Sequence, residues 1–283
     1  MSAQPMVTAL SACGATGWRQ LRLAGRILAM GLQEATAYRA ESAIWFLFDL
    51  IPPLVALAIW LAAYRDTASI GGYDIGAMLA YYIGLIGLRA VLTTHQEHSI
   101  NYDIKQGKLA GLLVKPLNFW LLCLMTELAW KVLRLALVSP VILVLALTFG
   151  GQVAWPGGGA LVAVVPALLL AFALCFLLKQ CLGYVSFWFI QIDGVLQAYW
   201  LTSLIFSGEL VPLELLPAAA RRVAEALPFA YIYYFPLQVA LGRITGADLW
   251  RGLAIQAAWV VAAGLLSVLL WRRGLRHFEG VGL

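Results

Sequence analysis

Long, uninterrupted apolar runs constrain this chain more than any other feature of its sequence. A transmembrane α-helix needs about 20 predominantly apolar residues to cross a hydrocarbon core about 30 Å thick. Six runs meet or nearly meet that length, at residues 44–64, 75–92, 120–149, 161–178, 181–206 and 252–271. The sequence therefore predicts an all-α polytopic membrane protein with six transmembrane helices.

The composition excludes a soluble protein. Apolar residues make up 63% of the chain and charged residues 12%, whereas soluble domains carry about 45–50% and about 25%. The runs and their connections leave no stretch for a folded soluble catalytic domain, so residues 1–283 are predicted to form a single transmembrane domain. The net charge of +5 does not indicate nucleic acid, since the basic residues flank the apolar runs.

The positions of the basic residues predict the orientation. Lys and Arg are enriched in cytoplasmic segments next to membrane spans. They cluster before the first run, after the second and after the last, at Arg19, Arg22, Arg26, Arg39, Lys105, Lys108, Lys115, Arg272, Arg273 and Arg276. We therefore expect a multi-pass protein of the inner cell membrane with both termini in the cytoplasm.

Two segments outside the runs have their own patterns. Residues 18–35 place arginines on one helical face and leucines on another, which predicts an interfacial amphipathic helix. Residues 229–235 are too apolar for water but too short to span. They predict a re-entrant helical hairpin in the outer leaflet, at residues 212–236, punctuated by Pro212, Pro217, Pro228 and Pro236.

Polar residues inside the runs are candidate functional residues, because a charge at the bilayer centre is costly. Asp193 is predicted near the middle of the fifth span, with Gln191 and Gln197 close to it. These three residues and Trp188 are the candidates for a substrate pathway. Pairing of Asp193 within the helix bundle is an equally good interpretation.

Other charged residues are interpreted as structural. Glu127, Lys131 and Arg134 share a helical face near the inner end of the third span, where snorkelling and mutual pairing suffice. Two further charges, Asp49 and Arg89, are positioned to pair across helices.

No metal site is predicted. The sequence His95-Gln96-Glu97-His98 resembles a ligand cluster but lacks further ligands, which favours a solvated loop. The four cysteines form no CxxC pair and are interpreted as packing residues.

Two sequence patterns carry a resemblance to a known family. Residues 104–117 fit the pattern I-x-x-G-x-x-x-x-L-L-x-x-P-L, which follows the second span in permease subunits of ABC-2-type ABC transporters. Ser207-Gly208, Leu227-Pro228-Phe229 and Tyr234-Phe235-Pro236 resemble the outer hairpin of the same group. One residue departs from the family pattern, since Lys108 stands where an acidic residue is common.

The resemblance implies the permease subunit of an ATP-driven exporter for a hydrophobic or amphiphilic substrate. Such a subunit pairs with a second permease copy, identical or divergent, and with two separate ATPase subunits that bind ATP and Mg²⁺. Lipids would surround it, and no nucleic acid is implied. The ATPases would contact a cytoplasmic coupling region at residues 95–118, chiefly through Ile104, Lys105, Gln106, Gly107 and Lys108.

The sequence itself contains no ATP-binding loop of the G-x-x-x-x-G-K-[ST] type, so the chain is expected to bind no cofactor and to be no enzyme. Two alternatives stay open. An ion-coupled secondary transporter would use Asp193 as a proton carrier and would favour an internal inverted repeat. A membrane-embedded lipid-modifying enzyme would need clustered catalytic residues, which only His95, Glu97 and His98 approximate.

Overall fold

The computed structural model describes residues 22–37, 39–114, 118–153, 158–189 and 191–278. Within these ranges the chain is helical apart from short connections and one small β-hairpin, Ser69–Ile70 with Tyr73–Asp74. The helices are α1 (22–37), α2 (Arg39–Ala63), α3 (Ile75–Leu92), α4 (Gln96–Lys105), α5 (Lys108–Leu113), α6 (Phe119–Phe149), α7 (Gly158–Tyr184), α8 (Asp193–Phe206), α9 (Ala218–Ala226), α10 (Tyr234–Ala240) and α11 (Gly246–His277). Three 3-10 turns complete them, at Val185–Phe187, Leu213–Leu215 and Pro228–Tyr231.

Four helical segments in the described ranges are long and apolar enough to cross a membrane. They are Ile75–Lys105, Phe119–Phe149, Val162–Phe187 and Gly246–His277, and they correspond to the predicted second, third, fourth and sixth spans. The predicted first span lies in α2, whose apolar part is the shorter segment Asp49–Ala63. The fold is therefore that of an all-α membrane protein.

The predicted boundary between the fourth and fifth spans differs from the structure. Helix α7 continues through Lys179 and Gln180 to Tyr184, and α8 is a separate helix of 14 residues. The two polar residues do not interrupt α7, because each has a partner: Lys179 Nζ lies 2.6 Å from Glu97 Oε1, and Gln180 Nε2 donates to the Tyr184 hydroxyl at 2.6 Å.

Close helix packing in the bundle depends on small residues. Association of helices in a membrane relies on van der Waals packing, which small residues improve by letting backbones approach. A Cβ added at Gly252 of α11 would lie 2.0 Å from Cε2 of Phe235, and one at Gly274 would lie 2.1 Å from Cδ2 of Phe187. Helix α11 therefore fits against α10 and the 3-10 turn that follows α7 only with glycine at these positions.

The core of the bundle lies between α3 and α7. Tyr81, Tyr82 and Leu85 of α3 are fully buried in one cluster with Ala171 and Leu174 of α7. Helix α3 is buried on nearly all sides, which explains its continuous apolar sequence.

The amphipathic pattern predicted for residues 18–35 is present in α1, the described part of that segment. Ile27 and Ala35 are buried and Arg22 and Arg26 are exposed. A Cβ at Gly31 would lie 2.8 Å from the Cβ of Ala129 in α6. The apolar face of α1 therefore packs on α6, while Arg19 lies outside the described residues.

Candidate functional site

A bent pair of short helices, α4 and α5, follows the inner end of α3; we call residues 96–113 the elbow. The bend is at Gly107, whose φ of +67° is in the left-handed region that favours glycine. The Gln106 N–H donates to the Tyr102 carbonyl at 2.9 Å, and the Gly107 N–H donates to the Ile104 carbonyl at 3.2 Å, which closes the end of α4. The glycine of the family-like pattern therefore sets the angle between the two helices.

Substituting Gly107 by alanine is expected to destabilise the protein by about 1–2 kcal/mol, because an L side chain in the left-handed region meets its own backbone. Thermal unfolding of the detergent-solubilised protein would measure the effect. Gly111 is the matched control: it lies within α5, and a Cβ there would meet nothing within 4 Å. Alanine at Gly111 is expected to be neutral or stabilising, and equal effects at the two positions would contradict the argument.

The inner face of α4 is anchored to α7. Glu97 is 1% exposed and pairs with Lys179, while Gln96 Nε2 donates to the Phe176 carbonyl at 2.7 Å. Further along α4, Ile100 packs directly on Gly183. The elbow is therefore not a free loop after α3, because one side of it is attached to α7.

The opposite face of the elbow is open. Lys105, Gln106 and Lys108 are exposed, and the Lys108 ammonium lies 4.6 Å from the centre of the Tyr102 ring. Of the five predicted coupling residues, Ile104 is buried in a cluster with Leu109 and Phe119, and Gly107 forms the bend. The structure thus divides the predicted set into three surface residues and two that shape the elbow.

The three charges predicted as a structural cluster hold the junction between α3 and α4, residues 93–95. Glu127 Oε1 accepts from the His95 N–H at 3.0 Å, and Arg134 Nη1 donates to the Thr93 carbonyl at 3.2 Å. Lys131 also donates to the Thr93 carbonyl. The prediction of mutual pairing differs from the structure, because these side chains bind backbone groups at the end of α3 and the start of α4, where helices leave such groups without partners.

Arg89, one turn before the junction, joins three parts of the chain. It forms a close ion pair with Glu209 and lies 3.7 Å from Asp49 of α2. The pairing of Asp49 with Arg89 is confirmed. Glu209 was not among the candidate residues predicted from the sequence, although its side chain is only 8% exposed.

Glu209 belongs to a non-helical strap, residues 207–211, that runs along α3. The Tyr81 hydroxyl donates to the Gly208 carbonyl at 2.7 Å and the Tyr82 hydroxyl donates to the Leu210 carbonyl at 2.8 Å. Two buried tyrosines thus satisfy backbone carbonyls that lack secondary structure, as a buried irregular segment requires.

The segment after the strap reaches the same junction. The Tyr233 and Thr93 hydroxyls lie 2.8 Å apart, and Glu214 Oε1 accepts from Tyr234 at 2.5 Å and from Gln238 at 3.0 Å. Of the predicted hairpin prolines, Pro212, Pro228 and Pro236 are buried and Pro217 is exposed before α9.

At the far end of α10, Gln238 also donates to the Tyr73 hydroxyl at 2.6 Å. Burial raises the pKa of Tyr73 to about 12, so the phenol stays neutral. A neutral phenol can both accept from Gln238 and keep its proton, which makes this contact independent of pH over the physiological range.

The solvated loop predicted at His95–His98 was wrong. Gln96 and Glu97 are buried, because α4 lies against α7. His95 Nδ1 and His98 Nε2 lie 4.0 and 3.7 Å from Glu97 Oε1, but Lys179 Nζ is closer to that oxygen, at 2.6 Å. The group is therefore an ion pair between α4 and α7 with two histidines beside it.

Asp193 lies at the first turn of α8 rather than in the middle of a span. Its carboxylate is exposed, as are Gln191, Gln197 and Trp188. A carboxylate at a helix N-terminus is favoured by the helix dipole, which lowers the cost of this position. The four candidate pathway residues are thus all exposed, before and within the first turns of α8, and not enclosed within the monomer.

A comparison with known families matches a range that includes the elbow, the junction and the strap. Residues 50–282 match the family described as ABC-2 family transporter protein. No curated protein matches the chain.

Proposed function

The chain belongs to the ABC-2 family of transporter permeases, and we propose that it is the membrane subunit of an ATP-driven exporter that is powered by two separate ATPase subunits. The observation that supports this most is the form of the elbow. It offers exposed basic residues on one face and is fixed to α7 on the other. An ATPase that binds the open face would therefore push on a rigid part of the bundle.

The proposed route of that push runs through the junction. Residues 93–95 connect the elbow to α3 and contact α6 and Tyr233. Arg89, one turn earlier, contacts Asp49 and Glu209. A displacement of the elbow would thus move the strap and the segment 212–236, which contains Tyr233 and which we propose to be the re-entrant outer hairpin that gates release.

The substrate is proposed to be hydrophobic or amphiphilic and to pass between two permease copies. The exposure of Asp193, Gln191, Gln197 and Trp188 near the start of α8 supports this. A charge exposed beside apolar helices suits a pathway shared between subunits better than contact with lipid tails. ATP and Mg²⁺ would bind to the partner ATPases, and both termini would lie in the cytoplasm.

Coexpression with an ABC-type ATPase subunit tests the proposal. We expect the ATPase to copurify with the wild-type chain, and Lys105→Glu combined with Lys108→Glu to reduce its recovery at least tenfold. Both lysines are exposed, so the reversal leaves the fold intact. Arg222→Glu combined with Arg251→Glu is the matched control, since these arginines are equally exposed on α9 and at the start of α11.

Two results would contradict the proposal. One is equal recovery of the ATPase with the Lys105 and Lys108 reversal and with the control. The other is substrate transport in proteoliposomes that contain the chain alone, which would favour an ion-coupled transporter instead.

A further inference from the structure

An apolar groove lies where three helix ends meet. It encloses about 230 Å³ and is lined by α5, the first turn of α6 and the last turns of α11, through Leu112, Leu113, Phe119, Trp120, Leu122, Trp271 and Leu275, with Asn118 as its polar member. Its inner wall is rigid, because the rings of Phe119 and Trp271 stack with centroids 4.9 Å apart. Seven of its eight lining residues are leucine or aromatic.

Exposed basic residues adjoin the groove residues in the sequence. Arg272 and Arg276 lie one helical turn apart on α11, next in sequence to the groove residues Trp271 and Leu275. Both are exposed, and neither has a carboxylate within 4 Å among the described residues. On the facing helix, Lys108 lies one turn before the groove residue Leu112 and is also exposed.

We propose that this groove binds one anionic glycerophospholipid, with an acyl chain between Leu112 and Leu275 and the phosphate at Arg272 and Arg276. An apolar slot followed in sequence by two exposed arginines, which have no carboxylate partner among the described residues, matches an amphiphile that has a negative head and an apolar tail. Two tryptophans at the groove, Trp120 and Trp271, are the residue type that prefers the headgroup level of a bilayer. The inference does not depend on the ATPase partnership proposed above.

The location gives the lipid a structural consequence. Leu112 and Leu113 belong to α5, the outer arm of the elbow, and Trp271 and Leu275 belong to α11. A bound acyl chain would fill the space between these two helices and so hold α5 against α11. The position of the elbow would then depend on the anionic lipid content of the membrane.

Native mass spectrometry of the detergent-solubilised chain tests the site directly. The probes are palmitoyl-oleoyl phosphatidylglycerol and palmitoyl-oleoyl phosphatidylcholine, each titrated over the same range. We expect at least fivefold tighter binding of phosphatidylglycerol to the wild-type chain. Arg272→Gln combined with Arg276→Gln should abolish that preference, and Leu275→Trp, which fills the groove, should reduce binding of the first lipid at least fivefold.

The controls distinguish lipid binding in the groove from general electrostatic attraction of the lipid to basic residues. Arg222→Gln combined with Arg251→Gln removes two exposed arginines elsewhere and should leave the preference unchanged. Inorganic phosphate at the same concentration should not compete. Any one of four results would overturn the proposal. The first two are equal binding of the two lipids and an unchanged preference in both groove variants. The others are competition by phosphate and displacement of the lipid by a copurified ATPase that covers Leu275.

Discussion

Arg89→Leu is expected to destabilise the folded chain by about 3–5 kcal/mol. The substitution removes the cation that Glu209 faces and leaves that carboxylate buried without its partner, a situation that costs this much in proteins generally. It also removes the charge 3.7 Å from Asp49. The free energy of unfolding in mixed micelles, followed by circular dichroism as denaturing detergent is added, measures the loss.

A double-mutant cycle separates the pair from its surroundings. Glu209→Gln in the Arg89→Leu background removes the orphaned charge, so the double variant should be more stable than the sum of the single effects by about 0.5–3 kcal/mol. Arg221 and Glu225 provide the comparison: they also pair, at 2.7 Å, but both side chains are nearly half exposed. Arg221→Leu should therefore cost at most about 0.5 kcal/mol. Equal losses for Arg89→Leu and Arg221→Leu would show that the ion pair at Glu209 is not buried in the folded protein.

The functional consequence of the same substitution concerns the strap. With Arg89 gone, the strap keeps its hydrogen bonds from Tyr81 and Tyr82 but loses its one ion pair with α3 among the described residues. We expect residue 210 to become more accessible, because Leu210 is already 48% exposed at the edge of the strap. Loss of the ion pair therefore weakens the attachment of the strap to α3 but does not remove it.

Local sequence patterns predicted the features of this fold that depend on neighbouring residues. The apolar runs predicted the positions of most of the long helices, and the separate arginine and leucine faces predicted α1. Each of these patterns lies within the helix that it predicts, so a single sequence is sufficient for the prediction.

The features that were missed depend on distant partners. Lys179 and Gln180 look like a loop until Glu97, 82 residues away, is placed beside Lys179. Glu209 looks like a residue of an outer loop until Arg89 is placed beside it. Which face of the elbow is open was equally hidden, since Ile104 and Lys105 are adjacent in sequence and only packing shows that the first is buried. A single sequence does not contain these pairings.

The contact between Ile100 and Gly183 tests whether the elbow acts through α7. A Cβ at Gly183 would lie 2.9 Å from the Cβ of Ile100 and 3.0 Å from its Cδ1 and Cγ2. Gly183→Ala is therefore expected to cost about 1–3 kcal/mol through overpacking and to push α4 away from α7. Ile100→Ala in the same chain removes two of the three crowded atoms, so the double variant should regain part of the loss. Gly264→Ala is the control, because its nearest neighbour, Leu177 Cδ1, is at an ordinary 3.8 Å.

The same variant also distinguishes the proposed binding of an ATPase subunit from transmission of its movement to the strap. Gly183→Ala leaves Lys105, Gln106 and Lys108 on the surface, so the ATPase should copurify in wild-type amounts, unlike with the lysine reversal. The accessibility of a cysteine placed at Leu210 should then no longer respond to vanadate-trapped nucleotide on the ATPase, because the attachment of α4 to α7 has been loosened. If Leu210→Cys responds equally in the Gly183→Ala and wild-type complexes, the contact between α4 and α7 does not carry the movement. The covalent link from α4 through the junction to α3 would then have to carry it alone.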